Sequence, residues 1–236
     1  MTAPLVLSLF PGIGLLDMAF EEEGFCVVRG PDLLWGGDVR RFHPPAGKFD
    51  GVIGGPPCQI HSTMAALNPN AGRHGDMIPE FCRVVGEAGP AWFVMENVPG
   101  APGPAVPGYG VTSRLLNNRW LGERQSRKRR FSLGVAGPAR PFHIETAALE
   151  HAEWEPAVLA GHGPAVHTRE RGIANRPWPE MAHLQGLSAE WIERMGVETP
   201  FTVHGFKRVI GNGVPLPMGR AVARAVKAAL TCSEAA

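Results

Sequence analysis

The stretch that decides the fold is Pro4–Glu23, PLVLSLFPGIGLLDMAFEEE. Pro4 to Phe10 forms a short apolar run typical of a buried strand, and Leu15 to Glu23 has the apolar spacing of an amphipathic helix. The turn between them, Pro11-Gly12-Ile13-Gly14, lets a ligand approach the backbone, and the free N–H groups that open the helix attract a negative group. The stretch therefore predicts a strand, a glycine turn with a ligand site, and a helix.

The same alternation continues along the chain. Further strands are predicted at Phe25–Arg29, Phe49–Ile53 and Ala91–Met95, and further helices at about Pro79–Glu87 and Gly219–Leu230. A strand–helix–strand alternation favours a parallel sheet with helices on both faces. We therefore expect an α/β fold with a Rossmann-like sheet. After Gly100 the Pro- and Gly-rich residues predict an irregular segment, followed by a strand over Arg127–Val135.

Composition sets the broad class of the protein. The 236 residues are 44% hydrophobic with a formal net charge of +1, which allows a large core and excludes a polybasic or polyacidic protein. No apolar run reaches the roughly 18 residues that span a bilayer, and the first residues lack a basic start and a cleavage site, so we expect a soluble, cytoplasmic protein. The four cysteines form no CxxC pair, which argues against disulfides and zinc; we expect free thiols, with Cys26, Cys82 and Cys232 in the core.

The first glycine turn and a later aspartate indicate a nucleoside ligand. A dinucleotide fingerprint would have a third glycine where this chain has Asp17, which argues against a pyrophosphate. Asp32 follows the second predicted strand, where a carboxylate can accept hydrogen bonds from both hydroxyls of a ribose. The pattern predicts a nucleoside without phosphates.

Two further strand ends carry groups suited to catalysis. In Gly54-Gly55-Pro56-Pro57-Cys58-Gln59, two prolines fix the backbone just before a thiol at the carboxyl end of a strand, where open α/β sheets bind ligands. This position suits a nucleophile. Glu96 ends an apolar strand, where burial tends to raise the pKa of a carboxyl group so that it can donate a proton.

Taken in order, these motifs resemble one enzyme family. The segments are SLFPGIG, the later Asp32, GGDV, GGPPCQ, MENVPG, RQSRKRRF, LQG and IGNGVP, and in this order they resemble the C5-cytosine DNA methyltransferases over nearly the whole chain. The resemblance implies a class I methyltransferase sheet, S-adenosylmethionine as the cofactor, and 5-methylcytosine as the product.

The resemblance also implies roles for four catalytic residues. Cys58 would add to C6 of the cytosine and thereby make C5 an enamine carbon that takes the methyl group. Glu96 would bind N3 and the exocyclic amine and supply a proton. Arg127 and Arg129 would bond the cytosine O2 and hold the glutamate and neighbouring backbone.

For the cofactor, the resemblance implies three groups of residues. Phe10, Gly12, Ile13 and Gly14 would surround the amino-acid part, Asp32 would bind the ribose, and Asp38 with Val39 would lie at the adenine. The methionine side would be closed by Pro57, Asn212 and Gly213. The last helix would then pack beside the first.

Double-stranded DNA is the implied substrate, with the cytosine flipped out of the stack and a loop of roughly Gln59–Met77 filling the gap. We expect Gln59 and Ser62 to contact DNA there, and Arg169 with Arg171 to contact it from a small recognition region. The expected organisation is a catalytic and cofactor-binding part at 1–140, a reduced recognition region at 141–176, and a C-terminal part at 177–236. So small a region predicts specificity for about two to four base pairs.

Some features depart from the family pattern or leave alternatives open. His61 replaces the usual aromatic residue after the cysteine. Only five residues separate Asp32 from Asp38, so the sheet either crosses over tightly or loses regularity there. We expect a monomer in a bacterial or phage-infected cell, with no membrane and no metal, since the histidines lack paired spacing. The alternatives are a tRNA methyltransferase, transfer of a modified methyl group, and a catalytically silent DNA-binding or partner subunit.

Overall fold

The central sheet has six strands. The computed structural model of the chain describes residues 2–57, 75–147, 153–160, 176–199 and 201–231. The six strands are β1 (Leu5–Leu9), β2 (Cys26–Arg29), β3 (Gly51–Gly54), β4 (Trp92–Asn97), β5 (Tyr109–Asn117) and β7 (Lys128–Ala136). Their order across the sheet is β2-β1-β3-β4-β7-β5. A separate two-stranded parallel sheet joins β6 (Gln125–Ser126) to β8 (Glu155–Pro156).

Strands β1 to β4 run parallel, as predicted, but β7 and β5 are antiparallel to their neighbours. The short connection between β5 and β7 explains the difference, because adjacent parallel strands need a longer crossover. Strand β5 was missed in the sequence because it begins at Tyr109, inside the Pro- and Gly-rich stretch that we expected to be irregular. The sheet is therefore mixed, with a parallel half at the predicted glycine turn.

Helices cover both faces of the sheet, as predicted. They are α1 (Leu15–Glu22), α2 (Ile78–Ala88), α3 (Trp178–Leu184), α4 (Ala189–Glu198), α5 (Val203–Asn212) and α6 (Leu216–Thr231). On one face, α1 and α6 bury Phe20 and Val222 against Trp92 and Phe131 of the sheet. On the other, α2 buries Phe81 against the sheet. The last helix packs against the first, which confirms that prediction.

A third apolar cluster, absent from the sequence analysis, lies beside α1. It combines residues of α3, α4 and α5 with Leu15 and Ala19 of α1. Trp178 stacks on Phe206 with ring centroids 4.2 Å apart. These helices are short, so packing against one another and against α1 stabilises them more than intrinsic propensity does. The cluster fixes the end of α5 next to the start of α1.

The connection from β2 to β3 contains no α-helix and no strand. It is built from two short 3₁₀ turns, Leu33–Trp35 and Val39–Arg41, which Asp32 and Asp38 cap through their side chains. Of the two alternatives left open by the sequence, the sheet therefore loses regularity here. The two aspartates are held close together on the same loop.

Two smaller findings concern the cysteines and the helices. Cys26 is exposed, so its predicted place in the core is wrong: the strand β2 lies at the edge of the sheet, where one side is open. Cys82 is half-buried, and Cys232 lies outside the described residues. No helix within the described ranges is long and apolar enough to cross a bilayer.

Candidate active site

Four loops meet at one edge of the sheet. Because β1 to β4 are parallel, their carboxyl ends lie at the same edge, and residues at or just after these ends line one cavity of about 660 Å³. The chain leaves β1 for β2 on one side and returns to β3 on the other side of β1. Such a switch point is where open α/β sheets bind ligands.

The glycine turn forms one wall of this cavity and has an unusual backbone. Phe10 has a φ of 56°, a left-handed conformation that costs a non-glycine residue about 1–3 kcal/mol, and Gly12 has a φ of 57°. The Gly12 N–H donates to Asp32 Oδ2 at 2.8 Å, and the Trp35 Nε1–H donates to the Gly12 carbonyl at 2.7 Å. Both polar groups of Gly12 are thus held by the loop after β2. Asp32 lines the cavity while fixing the turn.

Gly14 is the one predicted cofactor residue that does not line the cavity. It has a φ of 83°, and a Cβ there would lie 2.4 Å from the Arg29 guanidinium. Arg29 extends across Gly14 to pair its Nε with Asp17 Oδ2 at 3.1 Å. Glycine at position 14 therefore allows the left-handed backbone of the turn and leaves room for the Arg29 side chain that pairs with Asp17.

Asp17 is a buried carboxylate at the base of the cavity. The Ser8 hydroxyl donates to its Oδ1 at 2.5 Å. Burial raises the pKa of Asp17 to about 6, although the Ser8 hydrogen bond and the Arg29 charge oppose that shift. The residue that replaces the third glycine is therefore part of an internal polar contact.

Glu96 and Arg129 form an ion pair in the wall of the cavity. Glu96 lies near the end of β4, and Arg129 lies at the start of the antiparallel β7, so the strand directions bring them to the same edge. Arg129 Nε lies 2.8 Å from Glu96 Oε1, and the glutamate side chain is 12% exposed. Burial raises the pKa of Glu96, while the charges of Arg129 and Arg127 act to lower it. Burial thus favours the protonated form of Glu96, and the two arginines favour the charged form.

The loop after β3 packs directly against Glu96. A Cβ on Gly55 would lie 2.9 Å from Glu96 Oε2, so only glycine leaves room for this carboxylate. The Asn97 amide donates to the Pro56 carbonyl at 3.4 Å. Pro57 lines the cavity together with Glu96. The described chain therefore reaches Pro57, the residue before Cys58, in the same cavity wall as Glu96.

The Arg127 side chain points away from Glu96, unlike that of Arg129. It is buried, and its Nη1 donates to the Val158 carbonyl at 2.7 Å, while its Nη2 donates to the carbonyls of Gly211 and Gly213 at 3.0 and 3.1 Å. The functions expected of the arginine pair are therefore divided. Arg129 holds the glutamate, and Arg127 holds neighbouring backbone.

Asp38 and Val39 lie at the far end of the cavity. Asp38 accepts hydrogen bonds from the Arg40 guanidinium and N–H, which lower the pKa of this carboxyl group. Val39 is buried beside it. Nine of the ten predicted cofactor residues line the cavity: Phe10, Gly12, Ile13, Asp32, Asp38, Val39, Pro57, Asn212 and Gly213.

Several predicted residues lie outside the described residues: Cys58, Gln59, His61, Ser62, Arg169 and Arg171. Conversely, the sequence analysis missed one wall of the cavity, formed by Phe201, Gly205, Arg208 and Val209. An amphipathic pattern ahead of the Gly-Asn-Gly turn was the available signal. In the part of the chain that the structure describes, no group of three or more His, Cys, Asp or Glu side chains could hold a metal ion.

Comparison with known proteins identifies the family. The family model described as C-5 cytosine-specific DNA methylase matches residues 36–158, more than half of the chain. The chain belongs to this family. The chain is 31% identical to the type II methyltransferase M.NgoPII of Neisseria gonorrhoeae over 55% of its own length and 47% of the relative's. It is 26% identical to M.HindV of Haemophilus influenzae, over 93% of its own length and 95% of that protein's.

The two relatives are matched over different fractions of their own lengths. The chain spans about half the length of M.NgoPII but nearly all of M.HindV. Its fold is similar to that of the methyltransferase EhMeth of Entamoeba histolytica, with a TM-score of 0.69 at 12% identity, over 98% of this chain and 99% of that one. At so low an identity, this likeness supports the methyltransferase fold alone.

Proposed function

We propose that the protein is a DNA (cytosine-5)-methyltransferase, which transfers a methyl group from S-adenosylmethionine to C5 of a flipped cytosine in a short DNA sequence. One observation carries the proposal. The buried Glu96–Arg129 pair and the glycine turn line the same cavity, together with Pro57, the residue that precedes Cys58. The proposed base-binding acid, the proposed cofactor wall and the residue before the proposed nucleophile therefore line one cavity.

The cavity fits the cofactor in size and in the chemistry of its walls. Its volume of about 660 Å³ is within the usual range for sites of small molecules and cofactors. A Cβ added to Gly12 would meet nothing within 4 Å, which leaves the turn open to a ligand. Asp32 would hold the ribose hydroxyls, and Asp38 with Val39 would hold the adenine. The bound cofactor supplies an electrophilic methyl group.

The residues of the chain supply the activation of the base. The Cys58 thiolate adds to C6, forming an S–C6 bond, while the ring nitrogen N3 takes a proton that Glu96 holds. The electrons of the C5–C6 double bond are thereby made available at C5. Once C5 carries the methyl group, a water molecule takes the proton from C5, the S–C6 bond breaks to release the Cys58 thiolate, and the C5–C6 double bond forms again. The proton on N3 returns to Glu96. Arg129 keeps Glu96 aimed at the base throughout.

A transfer assay with purified protein tests this proposal. Labelled methyl groups from S-adenosylmethionine are offered to unmethylated duplex DNA and, separately, to tRNA, with wild type and Cys58→Ala. We expect label in 5-methylcytosine of DNA with the wild type alone. Label in tRNA only would show that tRNA, and not DNA, is the substrate. Binding of cofactor and DNA without any transfer would indicate a catalytically silent binding subunit.

A further inference from the structure

One motif of the sequence analysis has no part in the proposed chemistry: Leu184-Gln185-Gly186. Gln185 follows α3 and is completely buried. Its Nε2 donates to the Ile210 carbonyl at 2.6 Å and to the Gly213 carbonyl at 3.0 Å. These carbonyls lie on either side of Asn212, so Gln185 holds the turn that forms a wall of the cofactor cavity.

Gln125 continues this contact toward the predicted recognition region. It is also fully buried, and its Nε2 donates to Gln185 Oε1 at 3.1 Å and to the Leu184 carbonyl at 2.6 Å. Its Oε1 accepts from the Val158 N–H at 3.1 Å. Val158 belongs to the described segment 153–160 within that region. A single side chain thus joins the recognition region to Gln185.

Arg127 makes a second, parallel connection. Its guanidinium bonds the Val158 carbonyl on one side and the carbonyls of Gly211 and Gly213 on the other. The latter lie at the C-terminal end of α5, where the helix dipole stabilises a positive charge. We call Gln125, Arg127 and Gln185 the polar clamp. Both backbone polar groups of Val158 are bound by it.

The 211–213 turn also packs closely against the backbone of the segment 153–160. A Cβ on Gly211 would lie 2.4 Å from both the Leu159 carbonyl carbon and the Ala160 nitrogen. A Cβ on Gly213 would lie 2.5 Å from Leu15 Cδ1 of α1. The 211–213 turn is therefore held between the recognition region and the helix that follows the glycine turn. A shift of one segment has to move the other.

We propose that Gln185 and Gln125 are positioning residues through which the recognition region and the cofactor site affect each other. The proposal rests on the proposed function. Moving Val158 would leave buried hydrogen-bonding groups without partners, which is costly, so the clamp favours a single joint arrangement. DNA that fixes this region should thereby tighten cofactor binding, and the cofactor should tighten DNA binding by the same factor.

The test measures that factor in the full chain. The Kd of S-adenosylhomocysteine is determined with and without a short duplex carrying the target sequence, and the ratio is compared between variants. In wild type we expect a ratio of about 5 to 150. Gln185→Met keeps the length of the side chain but removes its amide, so its ratio should fall clearly below that of wild type, with Arg127 and the contact at Gly211 retaining part of the coupling.

Ile192→Val is the matched control. Ile192 lies in the same apolar cluster as the end of α5 but takes no part in the hydrogen bonds of the clamp. It should lower the melting temperature and keep the wild-type ratio. If Gln185→Met does not fold, Gln125→Glu replaces it, since the carboxylate still accepts from Val158 but no longer donates to Gln185.

Three outcomes would count against these proposals, and they are distinguishable. A wild-type ratio in a folded Gln185→Met or Gln125→Glu protein would overturn the role of the clamp, as would a ratio of 1 in the wild type. Neither result affects the proposed function, because transfer to DNA is measured separately. A wild type that binds neither ligand would overturn the proposed function and the clamp together.

Discussion

Asp17 shows how a single buried carboxylate links the site to stability. It is fully buried, and its pKa of about 6 in the folded protein lies above the ordinary value of 3.8. The folded state therefore binds this proton more tightly than the unfolded state does. The contribution of Asp17 to stability is greatest below pH 3.8 and is lost as the pH rises through 6.

We predict that Asp17→Asn changes the pH dependence of unfolding. The free energy of unfolding of the variant, relative to wild type, should rise by up to about 3 kcal/mol between pH 4 and pH 7, because asparagine has no charge to bury. Urea denaturation at several pH values measures this difference. Parallel stability profiles for the two proteins would show that Asp17 does not titrate in this range.

For Glu96 we predict a selective loss of turnover. Glu96→Gln can still accept from Arg129 but cannot supply a proton, so kcat should fall by about 10²- to 10⁴-fold while the Kd of S-adenosylhomocysteine stays unchanged. Glu80→Gln, which alters a half-buried ion-pair partner of Arg83 on α2, is the control and should keep full activity. Equal loss of turnover and cofactor binding in Glu96→Gln would argue for a structural role instead.

At the scale of elements, α1 and α6 approach unusually closely. A Cβ on Gly219 of α6 would lie 2.5 Å from the Ala19 Cβ of α1, whereas a Cβ on Gly86 of α2 would meet nothing within 4 Å. Both glycines lie within helices, where alanine is intrinsically favoured by about 1 kcal/mol. The two positions therefore separate packing from helix propensity.

We predict opposite effects for the two alanine substitutions. Gly86→Ala should stabilise the protein by about 0.5–1 kcal/mol, and Gly219→Ala should destabilise it by about 1–3 kcal/mol because the helices are forced apart. Urea unfolding of both variants measures the free energies. Similar stabilisation by both would contradict the close α1–α6 contact.

Local patterns identified much of the parallel half of the fold. The apolar runs at β1 to β4 and the amphipathic pattern of α1, α2 and α6 are strong signals, and these elements form as predicted. Strand β5 carries exposed Arg114 and Leu115 and lies at the sheet edge, so it lacks clean alternation. Helices α3 to α5 depend on mutual packing, which no local window of the sequence shows.

The site was predictable to the extent that its residues sit in motifs at strand ends. Glu96, Asp32 and the glycine turn were found in this way and line one cavity. The polar clamp was not found, because its hydrogen bonds join residues 25 to 86 positions apart. A glutamine carries no local signal of such a role. The direction of Arg127, away from Glu96, likewise depends on α5 packing beside it.

At the scale of the whole molecule, three parts meet around one cavity. In the proposed function the glycine turn and the aspartates hold the cofactor and Glu96 with Arg129 binds the base, and the polar clamp joins the cavity wall to the segment 153–160. With only 141–176 expected for reading DNA, the molecule should recognise about two to four base pairs. Activity and specificity are therefore best measured together.

Base-resolution conversion sequencing is the most direct measurement. DNA is taken from methylation-free cells that express the wild type or Cys58→Ala. We expect cytosines protected in one short context with the wild type and none with the variant. No protected cytosine, from a wild type that is soluble and binds the cofactor, would contradict the account of a DNA methyltransferase that acts alone.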